Sequence, residues 1–179
     1  MPATVKGALD LRKALRNYAP ELAKETRKEM AAVLKPITQV AKGFLPAQAP
    51  LTNWGREGGK FPVYNASIAK RGIGYKTTPS KPNSQGFRAL AQIRNMSAAG
   101  AIYETAGRKN PGGSFKSKSR NPNAGRQFIE ALEPLEGSGN DRGRVIYKAW
   151  EKDYGKATVA ILKAIKNAGN KFNSTVGNR

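Results

Sequence analysis

Two long amphipathic stretches bracket this chain and leave little freedom in what its two ends can become. Over residues 7–45, Leu11, Leu15, Leu22, Thr26, Met30, Leu34, Ile37, Ala41 and Phe44 recur at steps of three or four, with one step of seven. That spacing draws one apolar stripe along a helix. Lys13, Lys24, Arg27, Lys28 and Lys42 fall mainly off the stripe. Pro20 suits the first turn of a second helix, so the pattern predicts a bend at Tyr18-Ala19. Pro36 predicts a kink or a split, because it removes one hydrogen bond and crowds the preceding turn. Gly43 and Pro46 close the segment. Over residues 148–172 the pattern returns in Trp150, Tyr154, Ala157, Ile161, Ala164, Ile165, Ala168 and Phe172. Gly155 weakens the first turns of that helix, and residues 173–179 read as a frayed tail.

The middle of the chain is built differently. Most of the 19 glycines and 11 prolines lie there, and residues 46–65 read as loop. Trp54, Phe61 and Tyr64 are interleaved with Arg56 and Lys60. Such aromatics either stack on single-stranded bases or pin a long loop to its own body or to a neighbour; the second is the stronger reading. Residues 66–147 read as a small sheet with long loops and short helices. Strand signals run over 66–78, around Ile68, Ile73 and Tyr75, and again over 87–96, where Phe87, Ala89, Ala91 and Ile93 alternate with polar residues. Leu90 breaks that alternation and leaves a bulge or a helix open. Residues 79–86 form a turn or mobile loop between the two.

Ala98 to Ala106 predicts a short helix capped by Ser97 and ended by Gly107. Residues 108–126 carry six basic and no acidic residues and no hydrophobic period, which predicts a mobile basic loop. Gln127 to Leu135 is a short amphipathic segment. After a turn at 137–141, Arg144-Val145-Ile146-Tyr147 is either a third strand or the start of the last helix. The order of elements is that of a single α+β domain over residues 1–179: long N-terminal helices and a C-terminal helix packed on a small, mostly antiparallel sheet, with long basic loops.

Composition narrows the chemistry. With no cysteine and no histidine, disulfide frameworks, thiol catalysis, thiolate zinc sites and the commonest general base are all absent. Gly72-Ile73-Gly74 lacks the third glycine and the acidic partner of a dinucleotide fingerprint, and no Gly-Lys-Ser/Thr phosphate loop occurs. The sequence therefore predicts a protein that is not an enzyme and binds no cofactor or metal. No apolar run reaches the length of a membrane span, and Met-Pro-Ala-Thr-Val does not begin a signal peptide; the expectation is a protein made and used in a cytoplasm, or packaged from it.

Charge is the sharper feature. The net charge is +20, which favours contact with a polyanion or with acidic neighbours. Residues 58–129 hold 13 basic residues and one acidic residue, a net of +12, whereas residues 1–57 contribute +5 and residues 130–179 contribute +3. No recognition helix, finger or RNA-binding signature accompanies this charge, so DNA contact would be to the backbone and nonspecific. The lone acid of the basic stretch is Glu104, expected to find a basic partner in a local or inter-subunit ion pair.

Glu104 belongs to Ala98-Ala99-Gly100-Ala101-Ile102-Tyr103-Glu104-Thr105-Ala106-Gly107. An Ala-rich run ending in Tyr-Glu-x-x-Gly, after a long N-terminal helix and before Phe128…Leu132-Glu133-Pro134-Leu135 and a C-terminal helix, resembles the neck or tail-completion proteins of long-tailed double-stranded DNA bacteriophages. The basic loops are longer than that family's, and Asn53-Trp54-Gly55 stands where a Pro-x-Thr-Gly turn is expected. The resemblance implies a structural virion protein at the head–tail junction. It implies a homo-oligomeric ring of six subunits, meeting connector or stopper proteins on one side and tail-terminator or tail-tube proteins on the other, with genomic DNA in the channel. Under it, Tyr103, Glu104, Gly107, Trp54 and Phe128 are expected to contact a neighbouring subunit or partner, Glu104 as an anchor. Arg108, Lys109, Lys116, Lys118, Arg120 and Arg126 are expected to face DNA or an acidic partner. The alternative is a basic protein that binds nucleic acid nonspecifically.

Overall fold

A computed structural model of the chain describes residues 7–55, 57, 62–109, 120–139, 141–153 and 155–177. The fold is α+β. Among the described residues there are seven helices, α1 (Ala8–Tyr18), α2 (Pro20–Gly43), α3 (Ala66–Gly72), α4 (Ala98–Thr105), α5 (Ala124–Glu130), α6 (Ile146–Lys152) and α7 (Lys156–Gly177). Four short strands, β1 (Ile73–Lys76), β2 (Gln92–Asn95), β3 (Glu136–Ser138) and β4 (Asp141–Gly143), pair as two separate ribbons, β1 with β2 and β3 with β4. The second ribbon is antiparallel, with Glu136 opposite Gly143 and Ser138 opposite Asp141. The chain divides into two compact units: residues 1–37, 75–93 and 153–179 form the first, and residues 38–74 and 94–152 the second.

The first unit is helical. Gly7 opens α1 in the left-handed region at φ 77°, and the Ala19 N–H closes it on the Leu15 carbonyl. Pro20 then starts α2, where its missing N–H costs nothing. Pro36 neither splits nor ends α2, which runs on to Gly43. Pro36 and Ala32, whose carbonyl loses its partner, are both exposed, so that carbonyl lies on a face open to solvent. Leu34, Ile37 and Ala41 meanwhile stay buried on either side. Their burial outweighs the roughly 3 kcal/mol that an internal proline costs. The core of this unit joins Ala8, Met30 and Ile165 in one cluster and Leu15, Ala23 and Ala168 in another, with Leu11 packed against both. The 79–86 loop is an ordered turn: the Asn83 side chain accepts from Gln85 N and Phe87 N, and Ser80 N donates to the Ala89 carbonyl.

The C-terminal amphipathic stretch is two helices rather than one. Gly155 takes φ 75°, and the Asp153 carboxylate accepts from Ala157 N at 2.6 Å, which restarts the chain as α7 with an acidic cap at its positive end. Helix α7 continues through 173–177, which the sequence assigned to a frayed tail.

Two strand expectations are corrected, the first in the second unit. Residues 66–72 are helix α3, not strand: the Asn65 side chain caps it by accepting from Ile68 N at 3.0 Å. Ala69 is its buried residue, whereas Ile68 is half exposed. The strand expected over 87–96 shrinks to β2, because Phe87 points to solvent with 59 % of its surface exposed. Arg144 and Val145 belong to a bend between β4 and α6, which resolves the open choice there toward a helix start at Ile146. Helix α5 opens at Ala124, so the last residues of the predicted basic loop are helical.

Candidate functional site

The Tyr-Glu-x-x-Gly motif lies in the second unit, in a node of two helix ends. Ser97 caps α4 as the sequence predicts, its hydroxyl accepting from Gly100 N at 3.1 Å. One helical turn then carries Tyr103 and Glu104 inward, where they are 1 % and 4 % exposed. Among the described residues, the Glu104 carboxylate forms no ion pair with a basic side chain. It accepts from Ile146 N at 3.0 and 3.1 Å and from Tyr147 N at 3.1 Å, the first amides of α6. A carboxylate there satisfies orphan donors and meets the positive end of the helix dipole.

The segment before α6 returns the contact. Arg144, 2 % exposed, donates to the carbonyls of Tyr103 at 3.0 Å and Ala106 at 2.8 Å, and through Nε to the carbonyl of Glu133. The first two are carbonyls at the C-terminal end of α4, where a cation is favoured. Helix α4 thus caps α6 with an anion, and the approach to α6 caps α4 with a cation. Gly143 makes this possible: a Cβ there would lie 2.8 Å from the Glu104 Cδ.

Burial shapes the titration of the node. It pushes the Tyr103 hydroxyl up to about 12, with the Glu133 charge adding, Arg144 opposing and Glu104 adding less. It pulls the Arg144 guanidinium down from its ordinary value, while Tyr103, Glu104 and Glu133 oppose. The Tyr103 hydroxyl has no hydrogen-bond partner among the described residues, nor do Arg108 Nε, one terminal nitrogen of Arg108, and Arg142 Nε, all enclosed. The Arg108 guanidinium lies over the Tyr147 ring at 4.7 Å, and its carbonyl accepts from Arg142.

The predicted partner-contact residues Tyr103, Glu104, Gly107, Trp54 and Phe128 all fall in this unit. Trp54, 6 % exposed, meets the rings of Tyr64 and Phe128, each at 5.4 Å. Its Nε1 donates to the Pro62 carbonyl at 2.8 Å, and the Tyr64 hydroxyl donates to the Pro46 carbonyl at 2.7 Å. These aromatics pin the 46–65 loop to its own body; Phe61 lies outside the described residues. Gly107 holds φ 80° with Ile129 close against it. Glu104 is therefore an internal cap, and its carboxylate is occupied within its own chain.

The predicted basic contacts divide. Lys109, Arg120 and Arg126 are exposed and Arg108 is partly covered. Arg126 pairs with Glu130 at 3.9 Å and donates to the Asn123 side chain, which partly neutralises it. Lys116 and Lys118 lie outside the described residues. Reasoning from sequence missed Arg144 entirely. It sits 40 positions from Glu104 in a Gly-flanked turn, with no periodicity to mark an arginine as core.

Among the described residues, no group of three or more carboxylates converges as a metal site would require, and no helix is long and apolar enough to cross a membrane. The node joins one carboxylate to backbone amides and one guanidinium to backbone carbonyls, which is an arrangement for holding elements in place. Comparison of the chain with protein-family models, curated proteins and solved structures finds no match.

Proposed function

We propose that the protein is a structural component of a bacteriophage head–tail junction, a homo-oligomeric ring around the DNA channel that links connector or stopper proteins to the tail terminator and tail tube. One observation carries the reading. The only carboxylate of residues 58–129 is buried as an internal helix cap, so this stretch, with 13 basic residues in its sequence, presents no exposed carboxylate of its own. A field of that kind suits a lumen through which DNA passes, or a seat for an acidic neighbour. The Tyr-Glu-x-x-Gly resemblance supplies the biological setting, and Lys109 and Arg120 are the exposed cations best placed to act.

Sedimentation and negative-stain electron microscopy of the full chain test the ring. The expected result is closed rings, six subunits in number, or association with purified tails. A protein that stays monomeric at every concentration and is absent from virions would refute it. The same positive field also favours the second reading, free nonspecific binding to nucleic acid. That reading requires tight binding to bare duplex with a steep salt slope, reduced by about one unit for each phosphate-contacting cation removed.

A further inference from the structure

The first unit contains a groove of about 610 Å³ that the node does not explain, lined by α1, α2, α7 and residues 78–90. Its floor is apolar, from Leu15, Ala23, Met30, Ile165 and Ala168, all buried. Its rim is cationic: Arg12, Arg16, Arg27 and Arg88 line it with Lys13, against Asp10 as the one acid. Three of the four arginines are held on backbone carbonyls. Arg12 donates to Leu90 and Thr77, Arg27 to Ala23 at 3.2 Å, and Arg88 to Ser80 at 2.9 Å. None of the four forms an ion pair among the described residues. Arg12 and Arg27 lie near enough for the Arg27 charge to add to burial in pulling the Arg12 guanidinium down. Two of the rim's cations therefore oppose each other beside an apolar hollow.

We infer that this groove docks a short acidic amphipathic helix of a partner protein, with aliphatic side chains on the floor and carboxylates against the arginine rim. Charge complementarity selects this occupant. Duplex DNA would satisfy the arginines but has no side chains to fill the hollow. A fatty acid would fill it but carries one charge for several spread cations. The volume is that of an ordinary binding pocket, roughly 300–1,000 Å³. The floor residues of α1 run from Ala8 to Leu15, a span of about 10 Å, or two turns of a docked helix reading i, i+3, i+4 and i+7. The inference stands apart from the ring proposal: a chain that forms no ring and still binds the helix would leave it intact.

The test uses the full chain and a fluorescein-labelled peptide of about 14 residues, with leucine at i, i+3, i+4 and i+7 and glutamate between. Competitors are its scrambled sequence, a version with lysine for glutamate, a short DNA duplex and dodecanoate. Saturable binding is expected, weakened about tenfold by scrambling or by lysine. The same loss is expected in the paired substitution Arg16→Glu with Arg27→Glu, and in Thr26→Trp, which fills the groove; Lys163→Glu, exposed on α7 and outside the lining, should change nothing. Far-ultraviolet circular dichroism confirms that each variant is folded. Equal binding of the scrambled peptide, indifference to the groove variants, displacement by duplex or dodecanoate at matched concentration, or no peptide binding below about 1 mM would each overturn it.

Discussion

Replacing Glu104 with glutamine exchanges one carboxylate oxygen for an amide nitrogen within the second unit, and its cost follows from the geometry. The native carboxylate accepts two backbone amides, Ile146 N and Tyr147 N, at 3.0–3.1 Å. Hydrogen bonds to a charged group contribute about 1.5–3 kcal/mol each, against about 0.5–1.5 for neutral ones. Conversion therefore loses on the order of 2 kcal/mol. The lost charge at the start of α6 adds about 0.3–1 kcal/mol, and the buried Arg144 loses a favourable nearby anion. Glu104→Gln should thus destabilise this unit by about 2–4 kcal/mol. Both tryptophans, Trp54 and Trp150, belong to the same unit, so tryptophan fluorescence in urea reports the right transition. With a urea slope of about 1–3 kcal/mol/M, the midpoint should fall by about 1–2 M at unchanged slope. The surface-anchor expectation predicts the opposite, a folded monomer of native midpoint that assembles poorly. A midpoint shift below about 0.3 M would refute the internal-cap account.

The remaining predictions probe neighbouring contacts. Gly143→Ala should cost a similar amount, about 2–4 kcal/mol, by driving its Cβ into the Glu104 carboxylate. Because both changes break one contact, a double-mutant cycle with Glu104→Gln should fall short of additivity by at least about 1 kcal/mol; strict additivity would show that the residues act separately. In the first unit, Gly169→Ala should stabilise by about 0.5–1 kcal/mol, since a Cβ there meets only Leu11 at 3.6 Å inside α7; loss of thermal stability would contradict the packing described. Tyr64 and Tyr103 both have hydroxyls raised to about 12 by burial. The unfolded chain ionises first, near 10, so their contribution is complete below pH 10 and is lost between pH 10 and 12, at about 1.4 kcal/mol per pH unit for each. Spectrophotometric titration of the native chain against Tyr64→Phe and Tyr103→Phe should assign late ionisation, or ionisation only on unfolding, to these two hydroxyls; ordinary titration of both would rule this out.

Much of the framework is legible in the residues. The stripe of residues 7–45, the break at Tyr18-Ala19, the Ser97 cap and the end at Gly107 all depend on neighbours within a few positions, where period, caps and proline chemistry act. The same locality explains the errors. Ile68 resembles a strand residue until the Asn65 cap and the burial of Ala69 are seen, whereas Ile73 does open β1, and Gly155 reads as a weak spot until Asp153 makes it a boundary. Local rules fix the type of an element better than its depth in the core.

Glu104 shows where those rules stop. Its sequence marks it as the lone acid of a cationic stretch and so as a residue in need of a positive partner. What it meets is the positive end of a helix that starts 42 residues away, while Arg144 reaches carbonyls rather than the carboxylate itself. The arginine rim of the first unit has the same origin, gathering residues 12, 16, 27 and 88 around an apolar floor shared by three helices. The sequence alone determined the helices, the charge and the absence of thiol and imidazole chemistry, because these are properties of short windows and of composition. Only the tertiary structure decided which charges are buried as caps and which are left facing outward, because that depends on which backbone ends the fold brings together.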